Sequence, residues 1–129
     1  MNDQTMLKTV LVVDDDPSLT ELFDELLSEC FNTRIANSVA TALTELSAHN
    51  IDAIVCDYNL GIQNAEVLID WLLEKRPSLI HNFILLTGDT QLNLTRYKHA
   101  FSILHKPVRM ETLLTSVETL FDQCQRIQA

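Results

Sequence analysis

Residues 9 to 16 read TVLVVDDD, a short apolar run that is followed at once by three aspartates. A run of this length, rich in β-branched side chains, is typical of a strand that is buried on both faces of a parallel sheet. Residues 51 to 57 read IDAIVCD, a second apolar run, which ends in Asp57. Ligand sites of open parallel sheets lie beyond the carboxyl ends of the strands. If the two strands are neighbours, each pair of carboxylates repels by roughly 1 to 4 kcal/mol, and we expect a cation to bind between them.

Extended and helical patterns alternate along the rest of the chain. Asp16 is a predicted N-cap, Pro17 suits a first helical turn, and apolar residues then recur at helical spacing. Further strands are predicted at residues 33–36, 51–56, 83–86 and 101–104, and further helices after Ser38, after Gln63, around Leu92 to His99, and from Met110 to Cys124. With right-handed crossovers, this alternation predicts an α/β fold: a flavodoxin-like doubly wound (βα)5 three-layer sandwich with a five-stranded parallel sheet in the order 2-1-3-4-5. Strands one and three are then adjacent.

Two of the predicted helices differ in how clearly their buried face can be assigned. The third helix is expected to place four residues on its inner face, namely Val67, Leu68, Trp71 and Leu72. The fourth helical segment is short and polar, and its apolar residues form either part of the core or an exposed surface for a partner. These residues are Leu92, Leu94 and Tyr97.

Composition bounds the class of protein. With 129 residues, 47% of them hydrophobic, the chain is expected to form one domain over residues 1–129, with a structured core at about residues 7–124. The formal net charge of −9 argues against direct binding to nucleic acid, because phosphate contacts require an excess of Lys and Arg. The start, MNDQTMLK, does not resemble a secretion signal, and no apolar run approaches membrane-spanning length. We therefore expect a cytoplasmic location without membrane insertion.

Four groups of polar residues follow the predicted strands and should meet at one edge of the sheet. They are Asp14 to Asp16, Asp57, Thr87 and Lys106. Carboxylates with a nearby backbone carbonyl form a hard oxygen site that suits Mg²⁺. A carboxylate beside that ion can attack phosphorus to give an aspartyl phosphate, while a hydroxyl and an ammonium share the charge on the transferring oxygens. The cysteines and histidines lack metal-ligand spacing, so no site is predicted from them.

Four motifs together resemble the receiver domain of two-component response regulators over nearly the whole chain. They are VLVVDDD at 10–16, CDYNL at 56–60, LLTGD at 85–89 and HKP at 105–107, each at the end of a predicted strand. The resemblance implies that Asp57 is the phosphoacceptor and that Thr87 and Lys106 contact the phosphoryl group. It also implies that Asp14 and Asp15, with the backbone carbonyl of Asn59 and with Asp57, hold Mg²⁺, or Mn²⁺ in its place. A cis bond before Pro107 is a further implication.

The resemblance also implies partners and a mode of action. The donor is expected to be a histidine kinase or a histidine phosphotransfer protein, and the phosphorylated form is expected to signal through contact with a downstream protein. Such a domain is not a classical enzyme, although it catalyses its own phosphorylation and slow autodephosphorylation. The phrases TGDT and LHKPV are similar to receivers attached to hybrid sensor kinases, which favours a role in a phosphorelay.

The chain departs from the usual receiver pattern in three respects. Ile103 occupies the position, three residues before the lysine, where the family usually has Tyr or Phe. The interval from Thr87 to Lys106 is 19 positions, shorter than is usual, so the fourth helix is expected to be truncated or irregular. Gly61 and Gly88 replace a usual proline and a common alanine, which makes the backbone more permissive at both positions.

Three alternative functions remain open at this stage. A degenerate receiver would bind partners without phosphorylation, and Ile103 and the short fourth segment favour it. Asp14-x-Asp16-x-Ser18 resembles the nucleophile motif of haloacid-dehalogenase phosphatases, which would make Asp14 the nucleophile, but no acidic pair follows Lys106 and a cap domain has no room. A flavin carrier of the same fold is disfavoured because the acidic loop after the first strand would repel a phosphate.

Overall fold

The computed structural model describes residues 7–121, which form one parallel sheet with helices on both faces. The strands are β1 (Thr9–Val13), β2 (Asn32–Ala36), β3 (Ala53–Asp57), β4 (Asn59–Leu60), β5 (Gln63–Asn64), β6 (Phe83–Thr87) and β7 (Ser102–His105). The α-helices are α1 (Pro17–Leu27), α2 (Val39–Ala48), α3 (Ala65–Lys75) and α4 (Met110–Phe121). Two 3₁₀ helices, Pro77–Asn82 and Thr95–Tyr97, complete the regular structure of these residues.

The order of the main sheet confirms the prediction. It is β2-β1-β3-β6-β7, with every neighbouring pair parallel, which is the 2-1-3-4-5 order of a flavodoxin-like fold. Val13 is paired with Cys56, so the residues that follow them, Asp14 and Asp57, come to the same edge. Because the strands are parallel and in register, the carboxyl ends of the four strands that carry the site residues meet along that one edge.

The core lies on both sides of the sheet, which explains the continuous apolar runs of the central strands. Leu11 and Val13 belong to the cluster that packs under α2 and α3, while Val10 and Val12 face the opposite cluster under α1 and α4. All five residues of β3 are buried, and so are all five of β6. Strands with two buried faces show no alternation of polar and apolar residues.

Capping residues set the start of the helices as predicted. The Asp16 carboxylate accepts a hydrogen bond from the Ser18 amide at the start of α1, and Pro17 occupies the first helical position. The Ser38 hydroxyl accepts from the Thr41 amide at the start of α2. Each cap satisfies an amide that has no partner inside its own helix.

The inner face predicted for α3 is partly wrong. The buried residues of the helix are Ala65, Leu68, Ile69 and Leu72, whereas Val67 is exposed and Trp71 is half-buried against the core. The sequence AEVLIDWLL has apolar residues on more than one face, so spacing alone permits two registers. The Asn64 side chain accepts a hydrogen bond from the Glu66 amide and caps the helix at Ala65, and packing against the sheet buries the side that carries Ala65, Leu68, Ile69 and Leu72.

The fourth βα unit lacks an α-helix, which confirms the expected truncation. Between β6 and β7 the regular structure is only the 3₁₀ turn Thr95–Tyr97, and Lys98 and His99 follow it with φ values of 56° and 59°. Two consecutive residues in the left-handed region end a right-handed helix. Leu94 and Tyr97 are nevertheless buried, and Tyr97 and Phe83 each pack against Phe101 with ring centroids 5.5 Å apart. The segment therefore belongs to the core.

Two further predictions concern the ends of the chain and its relation to membranes. The predicted extension of the last helix and of the structured core to residue 124 falls partly outside the described residues, as α4 is described to Phe121. The assignment of residues 1–129 to one domain stays a prediction. Among residues 7–121, no helix combines the length and apolar content needed to cross a membrane.

Candidate metal centre

The predicted site residues come together at the carboxyl edge of the sheet. Asp14 directly follows β1, and Asp57 and Thr87 are the last residues of β3 and β6. Lys106 directly follows β7, and its amide donates to the Thr87 carbonyl at 2.8 Å. Residues separated by up to 92 positions in the chain thus share one edge because four parallel strands end there.

Three carboxylates form a compact acidic cluster at this edge. One oxygen from each of Asp14, Asp15 and Asp57 lies within 4.8 Å of the other two. Asp14 is 2% exposed and Asp57 5% exposed, whereas Asp15 is exposed to solvent. Within residues 7–121 this is the group of metal-ligating side chains that could hold an ion, and neither cysteine nor histidine belongs to it.

Asp14 is held rigidly by its surroundings. Its amide donates to the Ala36 carbonyl at 3.1 Å, and its Oδ1 accepts from the Asp16 amide at 2.9 Å. The Asn37 side chain donates to the Asp14 carbonyl at 2.8 Å. Sequence reasoning missed Asn37, whose only signal is its position directly after β2. These bonds place the second carboxylate oxygen of Asp14 in a fixed position at the cluster.

This second oxygen indicates that the cluster suits a cation. Asp14 Oδ2 is buried and has no hydrogen-bond partner among the described residues. Burial is the main cause that raises the pKa of Asp14 to about 6; the charges of Asp57 and Asp15 act in the same direction, while the Asp16 amide and Lys106 oppose them. A buried, unpaired carboxylate oxygen is costly, and a divalent cation would remove that cost. Three carboxylate oxygens are the hard donors that Mg²⁺ prefers.

Lys106 brings positive charge to the same cluster. Its Nζ forms an ion pair with Asp57 Oδ1, and the Lys106–Pro107 peptide bond is cis, as predicted. Asp57 is almost fully buried, so this pair is screened from water on the carboxylate side. Asp57 therefore lies between an acidic pair on one side and an ammonium on the other.

The Thr87 side chain is buried beside the cluster and accepts a backbone hydrogen bond. Its Oγ1 accepts a hydrogen bond from the Asp89 amide at 3.1 Å. This bond fixes the start of the loop that leads from β6 to the irregular fourth segment. A Cβ added at Gly88 would meet only Lys106 Cβ, at 3.8 Å, which is an ordinary contact.

The loop after Asp57 is a small hairpin that the sequence did not predict. β4 and β5 pair in antiparallel fashion, with Asn59 opposite Asn64, and Gly61 stands at the turn with a φ of 80°. Ile62, next to that glycine, is fully exposed. Asn59 lies two residues after Asp57, and the role of its backbone carbonyl as a metal ligand stays a prediction.

An apolar cavity of about 450 Å³ borders Lys106 on the side of α1. It is lined by Leu19, Phe23, Leu86, Lys106, Pro107, Val108 and Met110. The cavity gives the edge of the sheet an apolar surface directly beside the charged cluster.

Comparison with known families identifies the class of domain. The family model described as the response regulator receiver domain matches residues 10–118. The chain belongs to this family. No curated protein matches the chain significantly.

Solved structures with the same fold include several receivers. A chemotaxis protein from Vibrio cholerae, CheY4, is 21% identical with a TM-score of 0.78, over 89% of this chain and 99% of that one. A CheY-like receiver domain protein from Methanospirillum hungatei JF-1 is 24% identical with a TM-score of 0.79, over 90% and 95%. The signal receiver domain of an HD domain-containing protein from Pseudomonas fluorescens Pf-5 is 23% identical with a TM-score of 0.74, over 95% and 94%.

Membership of the receiver family accounts for the acidic cluster. Asp14, Asp15 and Asp57 form a triad that is typical of the magnesium site of a receiver. The family belongs to two-component signalling, so a kinase is implied as a partner. The phosphatase and flavin-carrier alternatives are not supported by this assignment.

Proposed function

We propose that this receiver accepts a phosphoryl group on Asp57 from the phosphohistidine of a kinase or phosphotransfer protein and then signals through contact with another protein. The observation that carries the proposal is the position of the Asp57 carboxylate, which joins the acidic cluster and also pairs with Lys106. An acidic cluster alone could bind a cation without chemistry. A lysine on the same carboxylate adds the charge that phosphoryl transfer requires.

The proposed reaction is a displacement at phosphorus. An Asp57 oxygen attacks the phosphorus atom, the bond between phosphorus and the histidine nitrogen breaks, and the imidazole leaves with the electron pair. An acyl phosphate forms on Asp57, and attack by water later returns the carboxylate and inorganic phosphate. Asp14, Asp15 and Asp57, with the carbonyl of Asn59, would hold Mg²⁺ or Mn²⁺, which supplies positive charge against the oxygens of the phosphoryl group.

Lys106 and Thr87 are proposed to contact the transferred group. Before transfer the Lys106 ammonium neutralises the Asp57 carboxylate, and after transfer the same ammonium can follow the negative charge to a phosphoryl oxygen. The Thr87 hydroxyl only accepts from the Asp89 amide, so its own O–H is available to donate to another phosphoryl oxygen. Both groups are thus present at the site, and each has a different partner in the unphosphorylated protein.

The surroundings of the site suit a protein donor, and membership of the receiver family supports a cytoplasmic location. The cavity lined by Leu19 and Phe23 of α1 and by residues 106 to 108 lies beside Lys106 and offers an apolar contact surface. The net charge of −9 disfavours a nucleic acid as the downstream partner. The hybrid-kinase-like phrases TGDT and LHKPV further support a place in a phosphorelay.

The proposal is tested by phosphorylation with a small donor. The protein is incubated with Mg²⁺ and phosphoramidate, and intact mass is measured after acid quenching and again after mild base. We expect a gain of one phosphoryl group that is stable in acid, labile in base, and abolished by EDTA and by Asp57→Asn. A gain that survives Asp57→Asn and disappears in Asp14→Asn would assign the nucleophile to Asp14 and contradict the proposal.

The degenerate receiver remains a second candidate because two observations favour it. Ile103 is 39% exposed and has no polar group, and the fourth segment contains one 3₁₀ turn in place of a helix. A receiver of this kind would bind its partner equally well with and without phosphorylation. No mass gain with phosphoramidate, together with no thermal stabilisation by Mg²⁺ and beryllofluoride, would support it.

A further inference from the structure

The segment between β6 and β7 is tied to α3 by a polar network. Arg96 Nη2 donates to Glu66 Oε1 at 2.9 Å and lies 3.3 Å from the Asp70 carboxylate. The same nitrogen donates to the Tyr97 hydroxyl, which in turn donates to Asp70 Oδ1 at 3.0 Å, and the guanidinium stacks 4.1 Å from the centre of the Tyr97 ring. Two residues of the irregular segment are thereby joined to two residues of one helix.

The network extends to the residue that follows Asp57. The Tyr58 hydroxyl donates to Glu66 Oε2, so one carboxylate receives Tyr58 on one oxygen and Arg96 on the other. The Tyr58 backbone is fixed as well, since its amide donates to the Leu86 carbonyl and its carbonyl accepts from the Ala65 amide, both at 2.8 Å. A shift of the backbone at Asp57 therefore reaches Glu66 through a single side chain.

The surroundings of the Tyr58 hydroxyl keep it protonated. Burial chiefly, then the hydrogen bond and charge of Glu66 and the charge of Asp89, raise the pKa of Tyr58 to about 12. The hydroxyl consequently stays protonated and remains a donor to Glu66. Asp89 is also the residue whose amide is held by Thr87 Oγ1. The charge of Asp89, next to the site loop, thus acts on Tyr58 together with Glu66.

We propose that the network of Tyr58, Glu66, Asp70, Arg96 and Tyr97 transmits phosphorylation of Asp57 to the segment of residues 92–99. This inference rests on the proposed phosphorylation of Asp57. The response then passes through residues of α3. It does not pass through Ile103 of β7, because this side chain has no polar group with which to contact the site. Phosphorylation displaces Tyr58 from Glu66, weakens the hold of Glu66 on Arg96, and loosens the segment.

The network is suited to a switch because its exposed ion pairs contribute little free energy and are easily broken. The side chains of Arg96 and Asp70 are 56% and 51% exposed, and exposed ion pairs contribute little to stability. Glu66 and Tyr97 are more deeply placed, so the packing of Leu94 and Tyr97 keeps the segment on the core while the shared carboxylate holds its polar side chains. A modest change at one end can therefore release the other end.

Amide hydrogen exchange in the segment tests the inference. The amides of Tyr97, Lys98 and Ala100 donate to carbonyls inside the segment, so their exchange reports its opening. In the wild-type protein we expect Mg²⁺ with beryllofluoride to speed this exchange by at least about fivefold, the lower end of typical coupling between sites. Intact mass after phosphoramidate treatment, in parallel samples without beryllofluoride, measures phosphorylation of the same protein.

Two variants interrupt the network at opposite ends. Tyr58→Phe removes only the hydroxyl that reaches Glu66, and Arg96→Met removes the guanidinium from the segment. We expect both to be phosphorylated to within about twofold of wild type, with an exchange response at the three amides below about twofold. Arg34→Met is the matched control, because it removes an arginine paired with Glu45 between β2 and α2, at the opposite edge of the sheet from β7. It should respond like wild type.

The possible failures are distinguishable. A response of wild-type size in Tyr58→Phe or Arg96→Met would overturn the inference and leave the proposed function intact. So would a wild-type protein that gains the phosphoryl group on Asp57 without any change at the three amides. A wild-type protein that gains no phosphoryl group would overturn the proposed function, and the inference with it.

Discussion

Replacing Asp14 by asparagine should stabilise the metal-free protein, although it removes a residue from the proposed site. Asparagine keeps the shape of the side chain and can still accept from the Asp16 amide, but it has no charge. The pKa of Asp14 is raised from 3.8 to about 6, so the folded protein holds the proton more tightly than the unfolded chain. The stability associated with that proton is present at low pH and is lost as the pH rises through 6.

The magnitude follows from the size of the pKa shift. The rise in the pKa of Asp14 from 3.8 to about 6 corresponds to about 3 kcal/mol at pH 7.5, where the wild-type carboxylate is charged in both states. The advantage of Asp14→Asn should fall to about 1.5 kcal/mol near pH 5 and to about 0.5 kcal/mol near pH 4. Asp15→Asn, at an exposed position of the same cluster, is the control and should change stability by less than about 0.5 kcal/mol.

Urea unfolding in EDTA at several pH values is the assay. The difference in unfolding free energy between Asp14→Asn and wild type should grow from pH 4 to pH 7.5, and added Mg²⁺ should stabilise wild type far more than the variant. A variant that is no more stable than wild type at pH 7.5, or an advantage that does not depend on pH, would refute the reasoning that burial and repulsion destabilise this carboxylate.

Three further outcomes are expected. Gly61→Ala should lower stability by about 1 kcal/mol because φ at this position is 80°, whereas Gly88→Ala should be nearly neutral; chemical denaturation distinguishes the two, and equal effects would contradict the argument from backbone conformation. Asp16→Ala should lower the free energy of unfolding by about 1 kcal/mol, because it removes the N-cap of α1. Urea unfolding measures this change, and a value near zero would contradict the assignment of the cap. Mg²⁺ with beryllofluoride should raise the melting temperature of the wild-type protein, because a ligand that binds only the folded state stabilises it; an unchanged melting temperature would count against a working site, and Asp57→Asn should show no rise.

The main sheet and the meeting of the acidic residues could be predicted because both follow from the same pattern. Strands buried on both faces appear as uninterrupted apolar runs, and the ends of parallel strands share an edge. The carboxylates at positions 14 and 57 stand directly at the ends of such runs. Their proximity could therefore be predicted without knowing the conformation of the loops. The order of the strands then followed from taking the simplest doubly wound arrangement of five such units with right-handed crossovers.

Features that depend on tertiary contacts escaped prediction. The two-residue strands of the hairpin after Asp57 are too short to show a period, and the buried face of α3 depends on how the helix packs against the sheet. Asn37 holds the Asp14 carbonyl from a position that no motif marks. The bond from Tyr58 to Glu66 joins neighbouring elements through side-chain length and direction, which a sequence pattern does not contain.

The central claim is that side chains distant in sequence meet around one divalent cation at which Asp57 is phosphorylated. A crystal structure of the protein with Mn²⁺ and beryllofluoride, with anomalous data to locate the metal, tests this claim most directly. We predict a single Mn²⁺ peak bound by Asp14, Asp15, Asp57 and the Asn59 carbonyl, with beryllofluoride on an Asp57 oxygen and in contact with Thr87 and Lys106. A metal peak elsewhere, or beryllofluoride absent from Asp57 in a crystal that contains the metal, would contradict it.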